Sequence, residues 1–247
     1  MKKNTSARGV TKQEIISFIE PNIRKFHQKR IENLLDLKLG SVLKRKNPYL
    51  FRAKNITTSQ DLIKTLLDAH LSSQEEGIFG SFLEELAIFI CGKVFGGKKS
   101  SAEGIDLEFE KDGKRNIVSI KSGPNWGNSQ QIARMIDNFK KAKRISGDSA
   151  TVAVNGCCYG ADSKPNKGDY IKFCGQTFWE FISGDENLYI EIIEPLGYKA
   201  KKKNEEFLKE YSKVINKFTL EFSKEYCGPN GSILWDKIVR FNSGRQK

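Results

Sequence analysis

Gly104-Ile105-Asp106-Leu107-Glu108-Phe109-Glu110, followed by Lys111-Asp112-Gly113-Lys114 and then by Ile117-Val118-Ser119-Ile120-Lys121-Ser122-Gly123, reads as a β-hairpin. Alternation puts Asp106, Glu108 and Glu110 on one face of the first strand and Leu107 and Phe109 on the other. On the second strand Ser119 and Lys121 share a face, opposite Val118 and Ile120. An Asp-Gly turn pairs its flanking strands antiparallel, so Asp106 and Lys121 are expected to converge at one end of the hairpin. A carboxylate for a hard cation, with an ammonium beside it, is what metal-assisted phosphodiester hydrolysis requires.

Outward from the hairpin, the pattern is mixed. Phe79 to Phe95 is amphipathic at helical spacing, with Phe82, Leu83, Leu86, Ala87 and Ile90 on one face, and Gly96-Gly97 stops it. After the hairpin, a Gly- and Asn-rich loop leads to a helix beginning at Ser129. Thr151-Val152-Ala153-Val154 then reads as a buried strand, Tyr170-Ile171-Lys172-Phe173 as another, and Gln176 to Ser183 as a short helix. Helix, strand, strand, helix, strand over 78–154 predicts an α/β (α+β) core with a central mixed sheet. Thr11 caps a first helix that Pro21 breaks or restarts. Asn47-Pro48-Tyr49-Leu50-Phe51 reads as extended, Thr57-Thr58-Ser59 as a cap, and Ser72-Ser73-Gln74-Glu75-Glu76-Gly77 as a loop. Periodicity leaves Leu188 to Glu194 open between strand and helix, and Asn204 to Tyr226 repeats apolar residues at helical spacing. Residues 1–10 read as disordered. The expected organisation is one domain over 1–247, with a helical part at 1–70, an α/β core at 71–200 and a helical part at 201–247.

With 247 residues the chain is long enough to bury a core, and its net charge of +12 attracts polyanions. Five cysteines without a CxxC pair suggest neither a disulfide framework nor a zinc knuckle, and fit a reducing cytoplasm. No apolar run is long enough to span a membrane, and Met1-Lys2-Lys3-Asn4-Thr5 does not resemble a secretory signal. Two histidines disfavour chemistries built on several. His27-Gln28-Lys29 superficially matches an HxK phosphodiesterase motif, but Leu34 stands where that motif needs an aspartate, so His27 reads as an exposed helix residue.

The hairpin residues suggest definite roles. Asp106 is the metal anchor, the Ile120 carbonyl a second oxygen ligand, and Lys121 the group that orients water and stabilises developing charge. The following loop is rich in amides. Asn125, Asn128, Gln130 and Gln131 suit base edges or phosphates, although turns and caps use the same residues. The helix start at Ser129 offers backbone N–H groups to a phosphate. Trp126 either stacks on a base or packs beneath the site, and Arg134 joins Lys98, Lys99, Lys111, Lys114, Arg115, Lys140, Lys141, Lys143 and Arg144 in nonspecific phosphate attraction.

The hairpin resembles the PD-(D/E)xK nuclease core. More narrowly, three segments resemble type II restriction endonucleases of the PmeII-like, EcoO-type branch. They are Ser72 through Glu85, Gly104-Ile105-Asp106, and Ser119-Ile120-Lys121-Ser122-Gly123-Pro124-Asn125-Trp126-Gly127-Asn128. The resemblance implies a nuclease core with added N- and C-terminal helices. It also implies a Mg²⁺-dependent homodimer that cuts both strands of double-stranded DNA at a short palindrome. By resemblance Asp106 and Lys121 are catalytic, and Ser119 occupies the (D/E) position, where a serine is a poor ligand. Then either the metal shell holds more water or another carboxylate completes the site: Glu84 or Glu85 on the preceding helix, or Glu108 on the Asp106 strand, with Glu84 preferred for its spacing from Gly80. A noncatalytic DNA-binding module on a degenerate core, and a structure-specific repair or recombination nuclease, are the alternatives.

Overall fold

The computed structural model describes residues 9–146 and 150–245. Its elements in chain order are α1 (Lys12–Leu35), α2 (Leu39–Arg45), α3 (Pro48–Ala53), α4 (Ser59–Phe95), β1 (Lys98–Lys99), β2 (Leu107–Lys111), β3 (Lys114–Lys121), α5 (Ser129–Ser146), β4 (Val152–Cys157), β5 (Ile171–Cys174), α6 (Gln176–Ser183), α7 (Leu188–Glu191), α8 (Ile193–Leu196), α9 (Ala200–Tyr226) and α10 (Trp235–Ser243). They form two compact units. One joins the N-terminal stretch up to Ile23 with Phe79–Tyr198, and the other joins Arg24–Ile78 with Lys199–Lys247.

The first unit is built on the hairpin. Asp112 and Gly113 both take positive φ, 53° and 71°, as a two-residue turn matched to strand twist demands. The turn sets the register Lys111↔Lys114 through Leu107↔Val118. β3 outruns its partner and pairs in parallel with β4 from Asn116↔Val152 to Lys121↔Cys157, with α5 as the crossover. β5 adds in parallel to β4, and β1 caps the far edge antiparallel to β2. The five-stranded sheet is therefore mixed, in sequential order, and the fold is α+β as expected.

Each face of this sheet has its own cover. Ile117 and Ala153 meet Met135, Phe139 and Ala142 of α5, with Ile105 and Tyr170 beside them. On the opposite face Phe95 of α4 stacks on Phe109 at 5.6 Å, and Phe181 of α6 packs on Phe109 and Phe173 at 5.3 and 4.9 Å. The N-terminal part of α1 packs on α4 through Phe18 and Phe89, whose rings stack at 4.5 Å. A capping box starts α1: the Thr11 hydroxyl accepts from Glu14 N, and Glu14 accepts from Thr11 N.

Three local expectations need correction, and one left open is decided. Pro21 does not break α1; the neighbouring Asn22 side chain donates to the Phe18 carbonyl at 2.9 Å within an unbroken helix. Pro48 opens a helix, because Asn47 caps it through Tyr49 N and Leu50 N and proline suits a first helical position. The polar run 72–77 is helix within α4, its polarity marking an outer face instead of a loop. Leu188 to Glu194 resolves into the short helices α7 and α8. Of residues 1–10, expected to be disordered, 1–8 lie outside the described residues.

The second unit is helical, with a core in which Leu34, Leu62, Leu67, Phe218 and Phe222 are almost completely buried. Arg30 is nearly sheathed: its Nε donates to Glu75 at 2.7 Å, and its guanidinium lies 4.1 Å from the Phe207 ring centre. His27, expected to be exposed, is buried beside it, because it occupies the inward face of α1. His70 is also buried.

Burial, then the cations Arg30 and Lys203, pushes the His27 pKa down; burial, then Lys46 and Arg45, does the same to His70. The unfolded chain therefore takes up these protons first as pH falls. Stability from the neutral imidazoles is complete above about pH 6.5 and is lost progressively below it. Thermal melts between pH 7.5 and 5 should show this acid slope, and His70→Leu should flatten part of it.

Candidate active site

β2 and β3 part company at Asp106. Its backbone N–H makes the last antiparallel bond, to the Val118 carbonyl at 2.8 Å. Two residues further along β3, the Ile120 N–H points to the same edge with no strand opposite it. The Asp106 side chain fills that role: Oδ2 accepts from Ile120 N at 2.6 Å. The Ser119 hydroxyl lies 3.5 Å from the same oxygen, a much longer contact. The carboxylate is thus held by the backbone of the strand that carries Lys121. Because N–H and C=O of one strand residue face the same side, the Ile120 carbonyl opens onto this same edge.

Glu84 comes from α4. Four residues earlier, Gly80 lets the helix approach the end of β3; a Cβ there would sit 2.5 Å from the Ser122 Oγ. Glu84 reaches the surroundings of Asp106 and Lys121. Its pKa is raised, first by burial and then by repulsion from Asp106, and Lys99 and Lys121 offset this in part. Lys99 of β1 lies 3.7 Å from Glu84. Glu85, one position on, is exposed.

Lys121 at the end of β3 lies with its Nζ 5.2 Å from the centre of the Trp126 ring. Trp126 is half-buried, and its indole Nε1 donates to the Asn155 Oδ1 at 3.1 Å. The loop 122–128 is braced from β5, where Lys172 donates to the Pro124 carbonyl at 2.8 Å. Tyr159 stands exposed against Gly123, tied to the loop by its N–H on the Ser122 carbonyl at 3.0 Å.

Asp106, Glu84, Ile120 and Lys121 therefore meet at one end of the sheet, and Ser119 stands at the same place, almost fully buried. Glu108 does not join them and is corrected as a metal ligand. It accepts from Arg115 at 2.8 Å and pairs with Lys98 at 3.3 Å, and the Arg115 hydrogen bond holds its pKa low. Among the described residues no three of His, Cys, Asp and Glu cluster as a metal-binding group, so two carboxylates and a carbonyl are what the edge offers. Of the expected DNA contacts, Asn128 and Gln131 are committed to each other as a reciprocal cap on α5, each accepting from the other's N–H at 3.0 Å. Trp126 packs instead of standing free. Arg134 is exposed and pairs with Glu103 at 3.0 Å, and Asn125, Ser129 and Gln130 are exposed. Lys111 is also spoken for, donating to the Phe181 carbonyl at 2.9 Å between two phenyl rings. Asn155, Lys99 and Tyr159 carried no motif in the sequence; only the strand order brings them to this edge.

The sheet is mixed, Asp106 and Lys121 stand near the end of β3 where β2 has left it, and the chain carries a net charge of +12. The family model for type II restriction endonuclease EcoO109I matches residues 13–204, and the chain belongs to that family. It is a type II site-specific DNA endonuclease, a hydrolase of DNA. No curated protein matches the chain.

The raised Glu84 pKa has a signed consequence for stability. Between the ordinary carboxylate range and its folded value, the folded chain holds a proton that the unfolded chain has released. Stability therefore falls as pH rises through that window. In the presence of a chelator, Glu84→Gln should remove this loss and melt higher than the parent at pH 8, with the difference vanishing near pH 4; thermal denaturation against pH checks it.

Proposed function

We propose that the protein cuts both strands of double-stranded DNA at a short palindrome, as a homodimer using Mg²⁺. The observation that carries this reading is the convergence of Asp106, Glu84 and Lys121 where β2 leaves β3. The donor set suits a hard cation: the Asp106 oxygen not engaged by Ile120 N, the Glu84 carboxylate and the Ile120 carbonyl are all oxygens. Mg²⁺ keeps several of its waters, so three protein oxygens suffice. Burial, and after it the neighbouring Asp106 charge, raises the Glu84 pKa, and a cation bound there would offset both. Asp106, Glu84 and the Ile120 carbonyl would hold the ion, which when bound neutralises phosphate charge and makes water a stronger nucleophile at neutral pH.

The chain's own residues do the rest. Lys121 orients the attacking water and places positive charge beside the phosphate as negative charge builds on it. Ser119 steadies Asp106 instead of ligating, and Lys99 balances Glu84 before the ion arrives. Two strands need two such edges, and the palindrome and a two-fold dimer share one symmetry. Exposed Asn125, Gln130 and Arg134, with the start of α5 at Ser129, face DNA; Asn128, Gln131 and Trp126 shape the surface that does so.

Incubation with plasmid or phage DNA and Mg²⁺ should give discrete bands. Asp106→Ala and Lys121→Ala should each lower cleavage at least about a hundredfold while leaving DNA affinity largely intact in a gel-shift assay. Uncut DNA from the parent chain would mean a binding protein on a degenerate core, and branch-dependent nicking a structure-specific nuclease.

A further inference from the structure

We propose that Trp126 and Asn155 form a platform that positions the Lys121 ammonium. The inference rests on the reading of Lys121 as the group acting at the scissile phosphate. A lysine ends in a compact charge on a four-carbon stem with many rotamers, so a strand fixes its Cα but not its Nζ. Here the Nζ lies over an indole face, 5.2 Å from the ring centre, within the range in which the ring quadrupole attracts a cation.

That ring is itself tethered. Its Nε1–H donates to Asn155 Oδ1 at 3.1 Å, which stops the indole from turning about its side-chain bonds. Asn155 lies in β4 and is completely buried. Its other end, Nδ2, donates to the Ser119 carbonyl at 3.1 Å. One amide therefore clamps the β3 backbone two residues before Lys121 and also the ring on which the Lys121 ammonium rests. A buried amide satisfied at both ends has little freedom to move, because either bond lost inside the fold is costly. Its neighbours along β4 include Ala153, Val154 and Cys157, all buried, and of these only the Cys157 thiol touches the amide, a weak donor 3.8 Å from Oδ1. Asn155 and Trp126 touch no reacting atom; both act through Lys121.

The test uses the full-length enzyme with Mg²⁺ and a cleavable duplex. Trp126→Leu keeps apolar bulk without a ring face, and Trp126→Phe keeps a ring face without the indole tether. Trp126→Leu should lower kcat about tenfold to a hundredfold with KM within about twofold, and Trp126→Phe should recover part of that loss. Asn155→Leu should follow Trp126→Leu, but the Trp126 pair decides the matter if the Asn155 variant fails to fold. In single turnovers on a Lys121→Ala background, Trp126→Leu should have no further effect. A raised KM with unchanged kcat would overturn the proposal in favour of a DNA-stacking tryptophan. An equal loss on the Lys121→Ala background would overturn it in favour of a structural one. Undiminished cutting by Lys121→Ala and Asp106→Ala would instead refute the underlying reading, and the platform with it.

Discussion

A strand that outruns its neighbour leaves a backbone donor with nothing to bond, and in this protein a carboxylate takes it. β3 continues in parallel with β4 after β2 has turned away, and the Ile120 N–H has no strand opposite it to bond. An unsatisfied donor there costs roughly 1–3 kcal/mol. Asp106 supplies the acceptor at 2.6 Å. That single bond ties the acid to the lysine strand, directs one carboxylate oxygen inward and leaves the other at the open edge. Folding and the proposed chemistry thus draw on the same contact.

The other half comes from a helix, and packing decides which of two adjacent glutamates arrives. Gly80 removes the side chain that would hold α4 off the Ser122 end of β3. One turn later Glu84 reaches the edge, while Glu85 turns to solvent. In the proposed site, the serine at position 119 leaves β3 without a carboxylate there and Glu84 of the helix would take that part, while the serine hydroxyl makes only a long contact to Asp106.

Much of this was legible in the sequence, for reasons that differ by element. Two-residue turn chemistry at Asp112-Gly113 pointed to the antiparallel hairpin, and strict alternation then brought Asp106 and Lys121 to one end of it. Helical periodicity located α5, α6 and α9 closely. Failures came where composition stood in for geometry. A polar run at 72–77 looked like a loop because a helix's outer face has the same residues, and Asn47-Pro48 looked extended because a proline after a polar residue signals a turn and a helix start alike. His27 looked exposed because the groups that surround it from elsewhere, Lys203 and Glu206 of α9 and Glu75 of α4, belong to helices far from it in sequence. Glu108 shared a strand face with Asp106, but the cross-strand pairs that claim it, Lys98 and Arg115, become visible only with the register in hand.

The amide-rich loop shows why residue type alone does not identify a base-reading side chain. Asn128 and Gln131 spend their side-chain oxygens on each other's backbone N–H across the first turn of α5, a cap worth about 1 kcal/mol that any helix start would use. The same cap fixes where the α5 N-terminus points and so where the exposed Ser129, Gln130 and Arg134 stand. Trp126 obeys the same logic from the other side: bonded to a buried asparagine and covered by an ammonium, its ring is already occupied. In this loop the side chains that look most like readers of DNA are largely consumed in making the surface rigid. A contact that must discriminate one base from another needs that rigidity, because a flexible surface would meet the wrong base as readily as the right one.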